Sequence, residues 1–437
     1  MTERAPRKPL LVSSDERAVW RESEPQLAAG HPTIDLAWKG DRHQRMEGFG
    51  GCVNELGWLA LKSTSEEARE EVLKALFDKT GDGLRLELNR IPIGATDYSV
   101  NWYSCNDNEG DYAMERFSID RDWQNLLPYV KAAQAIQPDM KWFVSPWSPP
   151  TWMKHPQTYN YGKLVATERN LQAYALYLLK FVEAYAQEGV RISQVHFQNE
   201  PVTHHRFPSC VWTGEEMRDF LKRYLGPLFQ EKRPEIELWL GTLNTDSYDS
   251  YAGVVLNDPE AKAYVSGVGY QWAGKQAIQR THVAFPEMRL MQTENECGDG
   301  KNTWEYAHYI FSLLWHYLNN GVESYVYWNM VLPKGGECTW GGYQNSLVNV
   351  DPDSGEVTWN PEFYLFKHVC RFVGNGSVRL DLQGGWSGNA IAFENAEGRK
   401  AFIVHNPHDA PRTIAISCEG AIYEVPMTAK SFHTLVI

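Results

Sequence analysis

Short apolar runs alternate with longer amphipathic stretches from about residue 46 to residue 370. This alternation is typical of buried parallel strands connected by helices, so it predicts a β/α fold. Eight such runs are present, which is the number that closes a β/α barrel. The predicted barrel strands lie at 46–50, 84–91, 141–145, 192–197, 236–240, 265–270, 288–293 and 323–328.

Three stretches have the hydrophobic period of a helix. Residues 65–78 combine acidic residues at their start with one apolar stripe, and Ser63 and Glu66 have the spacing of a capping box ahead of it. Residues 168–188 place their apolar side chains on a single face. A further helix is predicted at 215–224, before a Gly-Pro pair.

The pattern changes after about residue 374. Short alternating or β-branched runs, interrupted by Gly, Asn and Pro, predict antiparallel strands there, and the first 45 residues contain similar strands without helices. We therefore predict that residues 1–45 and 374–437 together form a β-sandwich side domain beside a (β/α)8 TIM barrel of residues 46–373. The predicted sandwich strands lie at 9–13, 17–22, 33–39, 378–382, 390–393, 401–405, 413–417 and 422–425.

The composition is that of a globular protein and argues against several partners. Hydrophobic residues make up 43% and charged residues 22% of the chain. A net charge of −13 argues against nucleic acid or an anionic membrane surface as the partner. No apolar run has the roughly 18–20 residues of a membrane span. The first residues lack the apolar region of a secretory signal, so a cytoplasmic protein is expected.

The cysteine and histidine spacing predicts neither disulfides nor a metal. Seven cysteines lie far apart, without a CxxC pair, as expected of reduced thiols. His204 and His205 are adjacent, and no HExxH motif occurs. We therefore expect no cofactor and no metal, and the sequence makes no prediction of oligomeric state.

Two of the predicted strands deliver a glutamate at their carboxyl end. Glu200 follows the fourth strand in a Gln-Asn-Glu-Pro segment, and Glu294 follows the seventh. Catalytic residues of barrel enzymes lie at these ends, and glycoside hydrolysis uses a pair of carboxylates. Glu296 shares a strand face with Glu294, so the strand period does not choose between them. Pro201 predicts an extended backbone at Glu200.

Aromatic residues are frequent, with 17 Trp and 22 Tyr. Most of them fit a large core with Trp and Tyr at its margins. The clusters at 146–152 and 327–330, however, lie beside polar motifs, where aromatic faces can pack on the C–H faces of a sugar. We interpret these two clusters as parts of a carbohydrate site.

Eight motifs spread along the barrel carry a resemblance to a known family. They are GFGGCVNELGW (48–58), NRIPIGATDYS (89–99), VSPWSPPTWMK (144–154), QNEP (198–201), FPSCVWTGEEMRDFL (207–221), QTENECGDG (292–300), VYWNMVL (326–332) and NPEFYLFKHVCRFV (360–373). Through them the chain resembles family 30 of the glycoside hydrolases, the glucosylceramidase family. The resemblance implies a barrel with an attached β-sandwich and retaining hydrolysis of β-glycosides.

The resemblance also implies residue roles. Glu200 matches the acid/base and Glu294 the nucleophile, which favours Glu294 over Glu296. Glu55 stands where glucosylceramidases have an aspartate that binds outer sugar hydroxyls. The other residues implied in substrate binding or in support of the carboxylates are Arg90, Trp147, Asn199, Trp272 and Trp328.

Two departures from the family concern the aglycone. Gln271 and Ala273 stand where glucosylceramidases have His and Tyr around the shared Trp272. The Tyr hydrogen-bonds the nucleophile in the family, so its loss bears on a ceramide-type aglycone more than on the chemistry.

The expected activity is hydrolysis of terminal β-glucosyl linkages, with a β-linked glycoside or oligosaccharide as the partner. The alternatives left open are a β-1,6-glucanase, a β-xylosidase, a β-fucosidase, and a catalytically silent barrel that binds carbohydrate. An esterase is disfavoured because the chain has no GxSxG segment.

Overall fold

The computed structural model describes residues 8–437; residues 1–7, the start of the predicted segment 1–45, lie outside the described residues. Eight parallel strands form a closed barrel, and each overlaps one of the predicted strands, so the predicted fold is confirmed. The barrel strands are β1 (Gly48–Cys52), β2 (Leu88–Ile93), β3 (Lys141–Pro146), β4 (Ile192–His196), β5 (Glu237–Leu243), β6 (Gly267–Gln271), β7 (Arg289–Glu294) and β8 (Val322–Asn329).

Alternation along the strands fills both sides of the barrel wall. Inward-facing side chains from five strands form one apolar cluster: Leu88, Phe143, Trp239, Met291 and Val326. Apolar sequence neighbours of these residues, such as Val144, Leu240, Leu290 and Tyr325, belong instead to the large core shared with the surrounding helices. Both faces of each strand are therefore buried, as expected of a parallel barrel.

The surrounding helices are amphipathic, and their buried faces meet the barrel. The helical segments are Glu55–Lys62, Glu66–Phe77, Leu126–Ile136, Glu168–Gln187, Gly214–Phe220, Gly226–Lys232, Ala252–Leu256, Pro259–Lys262, Lys275–Ala284, Trp304–Asn319 and Pro361–Cys370. Short strands in the loops after β3 and β8 form two small sheets: Lys154–His155 with Lys163–Leu164, and Val331–Pro333 with Val348–Val350 and Val357–Trp359.

Two predicted helix ends were wrong. Ser65, not Ser63, caps Glu66–Phe77 by accepting from the Ala68 N–H, because Ser63 still has helical backbone at the end of Glu55–Lys62. The predicted helix 215–224 continues through a π turn into Gly226–Lys232. Proline is tolerated early in that last segment.

Ten further strands form one sheet that includes strands near both ends of the described residues. Leu10–Asp15 pairs with Ser431–Val436, a strand that the sequence did not predict. The strand order is Ala18–Ser23, Leu10–Asp15, Ser431–Val436, Lys400–Asn406, Ala390–Glu394, Val378–Gln383, Leu36–Arg45, Arg412–Cys418, Ala421–Met427 and Gln26–Leu27. The prediction that N- and C-terminal strands build one all-β unit is confirmed.

Period-2 alternation attaches this unit to the barrel. In Ala390–Glu394, Ala390 and Ala392 enter the core of the β-sandwich, whereas Ile391 and Phe393 enter the barrel core. The same division occurs along Lys400–Asn406. The two cores thus share strands, so the β-sandwich packs directly against the barrel. Within residues 8–437 all seven cysteines are free, and no helix could cross a membrane.

Candidate active site

Glu200 and Glu294 lie at the same, carboxyl-terminal end of the barrel. Glu294 is the last residue of β7, and Glu200 comes shortly after β4. The Glu200 N–H donates to the carbonyl of Thr242 on β5, at 3.0 Å. Gln271, the last residue of β6, is in register with Glu294. The ends of four consecutive strands therefore hold the two glutamates.

The backbone at Glu200 differs from the prediction. Its φ is +49°, in the left-handed region, so the extended conformation predicted from Pro201 was wrong. Consecutive N–H groups fix this turn: Asn199 donates to the carbonyl of Pro146 at 2.8 Å and Glu200 to that of Thr242. These bonds to the neighbouring strands decide the conformation. Positive φ is uncommon outside glycine and clusters at functional sites.

Arg90 on β2 is the centre of the site. Its Nη1 donates to Glu294 Oε2 at 2.6 Å, its Nη2 to Asn199 Oδ1 at 2.6 Å, and its Nε to Ser145 Oγ at 2.9 Å. The guanidinium is fully buried. A planar fork with fixed donors holds its partners in a set geometry, so Arg90 orients Glu294 and Asn199 relative to each other.

The Asn199 amide has one orientation. Its Oδ1 accepts from Arg90, from Thr242 Oγ1 at 2.9 Å and from Gln271 Nε2 at 2.9 Å. Three donors around one oxygen exclude the flipped amide, since that would turn its N–H groups toward them. Among the described residues no acceptor bonds its Nδ2, so this donor remains for a ligand.

Gln271 lies beside Glu294 and Asn199. Its Nε2 is 3.1 Å from Glu294 Oε2 and 2.9 Å from Asn199 Oδ1. The Tyr317 hydroxyl fixes the backbone of Gln271 by donating to its carbonyl at 2.5 Å. The predicted departure from the family at this position therefore leaves Glu294 with an amide donor.

Burial dominates the electrostatics of both glutamates. Burial raises the pKa of Glu294, the Arg90 charge lowers it, and the charges of Glu200 and Asp97 raise it. Burial also raises the pKa of Glu200, against a hydrogen bond from Thr203 Oγ1 at 2.8 Å and the Arg90 charge, which lower it. Two such carboxyl groups titrate as a coupled pair. The group in direct contact with a cation loses its proton first.

Asp97 is a site residue that sequence reasoning missed. Burial raises its pKa to about 7, and the Glu200 charge also raises it. Its Oδ2 accepts from Gln344 Nε2 at 3.1 Å, while its buried Oδ1 has no partner among the described residues. Asp97 follows β2 as Glu200 follows β4, so the rule that selected the glutamates, a carboxylate after a strand, also applied to it.

Trp147 and Trp328 form an aromatic wall beside Arg90. Their ring centroids are 5.3 Å apart, and the Arg90 Cζ lies 4.4 Å from the Trp147 ring and 5.5 Å from the Trp328 ring. Trp328 Nε1 donates to Gln344 Oε1 at 2.8 Å, so one glutamine holds both Trp328 and Asp97. The structure thus brings together the predicted Arg90, Trp147, Asn199, Glu294 and Trp328.

The structure places Glu55 elsewhere. Its carboxylate pairs with Arg121 Nη1 at 2.6 Å and Nη2 at 3.1 Å, and it accepts from the Val100 N–H at 2.8 Å. Glu55 is 2% exposed, and none of its hydrogen-bond partners belongs to the site. Its substrate-binding role stays a prediction, and these contacts support the loop from Asp97 to Arg121 instead.

Two further predicted positions lie at the edge of the site. Trp272 is half-buried and begins the loop after β6. Glu296 accepts a short hydrogen bond from the Tyr309 hydroxyl and has no bond to Arg90. The contact with Arg90 therefore favours Glu294 over Glu296 on physical grounds, where the strand period alone could not.

Comparisons with known proteins agree with this architecture. Residues 46–373 match the glycosyl hydrolase family 30 TIM-barrel domain, and residues 376–435 match the family 30 beta sandwich domain. The chain is 31% identical to putative glucosylceramidase 1 of Caenorhabditis elegans over 86% of this chain and 76% of that protein. It is 24% identical to an endo-1,6-beta-D-glucanase of Neurospora crassa over 94% of this chain and 88% of the other.

A solved structure shares the whole fold. The crystal structure of SrfJ from Salmonella typhimurium superposes with a TM-score of 0.90, covering 99% of each chain at 23% identity. With both of its domains matched by the corresponding family descriptions, the chain belongs to glycosyl hydrolase family 30.

Proposed function

We propose that the protein is a retaining β-glycosidase, with Glu294 as nucleophile and Glu200 as general acid/base. The observation that carries the proposal is the buried contact of Arg90 with Glu294. Arg90 and Gln271 both donate to Glu294 Oε2, which stabilises its carboxylate form. No guanidinium within residues 8–437 bonds Glu200 directly, so the proton of the buried pair belongs on Glu200. This is the division of roles that glycoside hydrolysis requires.

Two chemical steps follow from these roles. Glu294 attacks the anomeric carbon while Glu200 gives its proton to the departing glycosidic oxygen, which leaves a covalent glycosyl ester on Glu294. Glu200, now a carboxylate, then removes a proton from water, and that water displaces Glu294. Two inversions give net retention. We expect the carboxyl groups to lie about 5–5.5 Å apart, as retaining enzymes require.

The surrounding side chains support a neutral sugar in the site. The wall of Trp147 and Trp328 provides a face for sugar C–H groups, and Asn199 Nδ2 is a donor beside the reacting carbon. The unpartnered Oδ1 of Asp97 can accept from an outer hydroxyl, since a buried acceptor without a partner is costly until a ligand donates to it. We propose terminal β-glucosides as the substrates.

The second candidate function within the same chemistry is hydrolysis of β-1,6-glucan. The family relatives matched by the chain include proteins named as glucosylceramidase and as endo-1,6-beta-D-glucanase. The fold and catalytic pair suit both, so the leaving-group side of the site must distinguish them.

The test is the anomeric configuration of the first product, followed by proton NMR. Purified protein is given aryl β-glucoside, β-xyloside and β-fucoside, a β-1,6-glucan and glucosylceramide. We expect β-glucose to appear first from the aryl β-glucoside, with Glu294→Gln inactive and Glu296→Gln active. First release of α-glucose would defeat the retaining mechanism. An inactive Glu296→Gln beside an active Glu294→Gln would defeat the assignment of the nucleophile.

A further inference from the structure

A groove lies along the loop after β7 and the start of helix Trp304–Asn319, next to Glu294. It has a volume of about 650 Å³, and its lining includes Trp272, Glu296, Cys297, Glu305, Tyr306 and Tyr309. Cys297 joins it to the catalytic pair, because its Sγ lies 3.9 Å from Glu294 Oε1. Trp272 also lines the groove and directly follows Gln271 in sequence. We call this set the aglycone groove.

We propose that the aglycone groove binds a sugar residue on the leaving-group side of the scissile bond. The inference rests on the proposed function, because it names the class of aglycone that the same site accepts. The substrate class is then a β-linked di- or oligosaccharide, and a lipid aglycone is excluded.

The groove has the two features that bind sugars. Aromatic surface comes from half-buried Trp272 and from Tyr309, which is 37% exposed. Tyr306 and Tyr309 stand side by side, with ring centroids 5.7 Å apart. Rigid aromatic faces contribute packing at little cost in conformational entropy.

Hydrogen-bonding groups stand among these rings. Glu296 holds the Tyr309 hydroxyl, and the buried hydroxyl of Tyr306 has no partner among the described residues. Glu305 adds another carboxylate to the lining. Carboxylates accept from vicinal sugar hydroxyls, so Glu296 and Glu305 can bond a sugar that packs on these rings.

The same groups disfavour an alkyl chain. Covering Glu296 and Glu305 with hydrocarbon would remove water from two carboxylates without replacing its hydrogen bonds, which is strongly unfavourable. Lys301 also lines the groove but pairs with Asp299. The surplus of negative charge further excludes acidic sugars as occupants, since like charges repel.

The test compares a substrate that fills the groove with one that does not. β-Linked glucose disaccharides place a second glucose in it, whereas β-glucosyl fluoride has a leaving group too small to reach it. We expect Trp272→Ala to lower kcat/KM for its preferred disaccharide about tenfold or more. Tyr309→Ala should lower kcat/KM for the disaccharide as well, and it should leave kcat/KM for the fluoride within about twofold, because that substrate makes no contact there.

Trp123→Ala is the matched control, because Trp123 is a 45% exposed tryptophan that does not line the groove. It should change neither substrate's kcat/KM. Equal losses on both substrates in Tyr309→Ala would overturn the inference. So would a loss confined to glucosylceramide.

Failure of the proposed function gives a different result from failure of the inference. If wild-type protein hydrolyses neither the disaccharides nor the fluoride, the proposed function is wrong. Calorimetric titration of the disaccharides then tests separately whether the aglycone groove binds a sugar. Binding that is lost in Trp272→Ala but kept in Trp123→Ala supports it, and absence of binding to wild type overturns it.

Discussion

Arg90 Nη1 lies 2.6 Å from Oε2 of Glu294, and both side chains are buried. A buried carboxylate is unfavourable by itself, and a direct guanidinium partner offsets the loss of water. Because this arginine also bonds Asn199, it ties the charge state of Glu294 to the position of the Asn199 amide.

Arg90→Lys should remove this coupling. A single ammonium cannot bond Glu294, Asn199 and Ser145 in the geometry of the guanidinium fork. We expect kcat/KM for an aryl β-glucoside to fall roughly 100-fold or more, as for loss of other buried charge-stabilising donors. Initial rates measure this, and thermal unfolding checks that the variant is folded. A folded Arg90→Lys with wild-type kcat/KM would contradict the role.

Glu200→Ala and Glu294→Ala should respond differently to azide. An activated aryl leaving group needs little protonation, so Glu200→Ala should complete the first step and accumulate the glycosyl-enzyme. Azide needs no general base and should restore turnover as β-glycosyl azide. In Glu294→Ala, azide entering the vacated side should give the α product instead. NMR of the azide products distinguishes the two, and exchanged configurations would reverse the assigned roles.

The pH profile of kcat/KM should be bell-shaped. Both of its apparent pKa values should lie above the ordinary pKa of a glutamate side chain. Activity is lost at low pH when Glu294 gains a proton and at high pH when Glu200 loses its own. Burial raises both pKa values, so both limbs move upward. With a dinitrophenyl glycoside, Glu200→Ala should lose the alkaline limb while keeping the acidic one. An unchanged alkaline limb would exclude Glu200 as its source.

Gln271→Met should keep the shape of the residue while removing its donor. The Glu294 carboxylate then loses the bond at 3.1 Å, so its pKa should rise and the acidic limb should move to higher pH. We expect kcat/KM at the optimum to fall about tenfold. Stopped-flow bursts with a dinitrophenyl glycoside measure each step separately. A purely structural role would lower stability without moving the acidic limb.

Because of buried histidines between the barrel and the β-sandwich, the free energy of unfolding should decrease as the pH is lowered. Burial lowers the pKa of His308 to about 4, and those of His405 and His433 to about 3. The unfolded chain takes up these protons below about pH 6.5, before the folded protein does. Stability is therefore complete above that pH and is lost as pH falls toward 3–4, by at most about 1.4 kcal/mol per pH unit for each histidine.

Urea unfolding at pH 7, 5.5 and 4.5 measures this slope. His405→Gln removes one titrating group, and a glutamine can keep a hydrogen bond to His308 in place of the 2.9 Å ring contact. The variant should show a shallower decline of unfolding free energy between pH 6.5 and 4 than wild type. An equal slope would mean that other groups control acid unfolding.

The sequence by itself determined the fold class and the positions of the glutamates. Strand alternation and helical period are local signals, because they depend on neighbours a few residues away. Runs at 192–197 and 288–293 were therefore recognisable, and with them Glu200 and Glu294, which come shortly after these runs, although the strand period left Glu296 open beside Glu294. Alternation also showed that the two ends of the chain carry similar strands.

Tertiary structure decided which polar groups meet. Arg121 lies 66 residues from Glu55 in sequence, yet its guanidinium donates to both carboxylate oxygens of Glu55. The resemblance to the family implied a sugar contact for Glu55, whereas the folded chain gives it this arginine. Gln271 and Asn199 are 72 residues apart but share a 2.9 Å bond. Such pairings depend on barrel closure, which brings strand ends together irrespective of their distance in sequence. No local sequence pattern shows that closure. The groups that hydrogen-bond the two glutamates and shift their pKa values are therefore visible only in the folded chain.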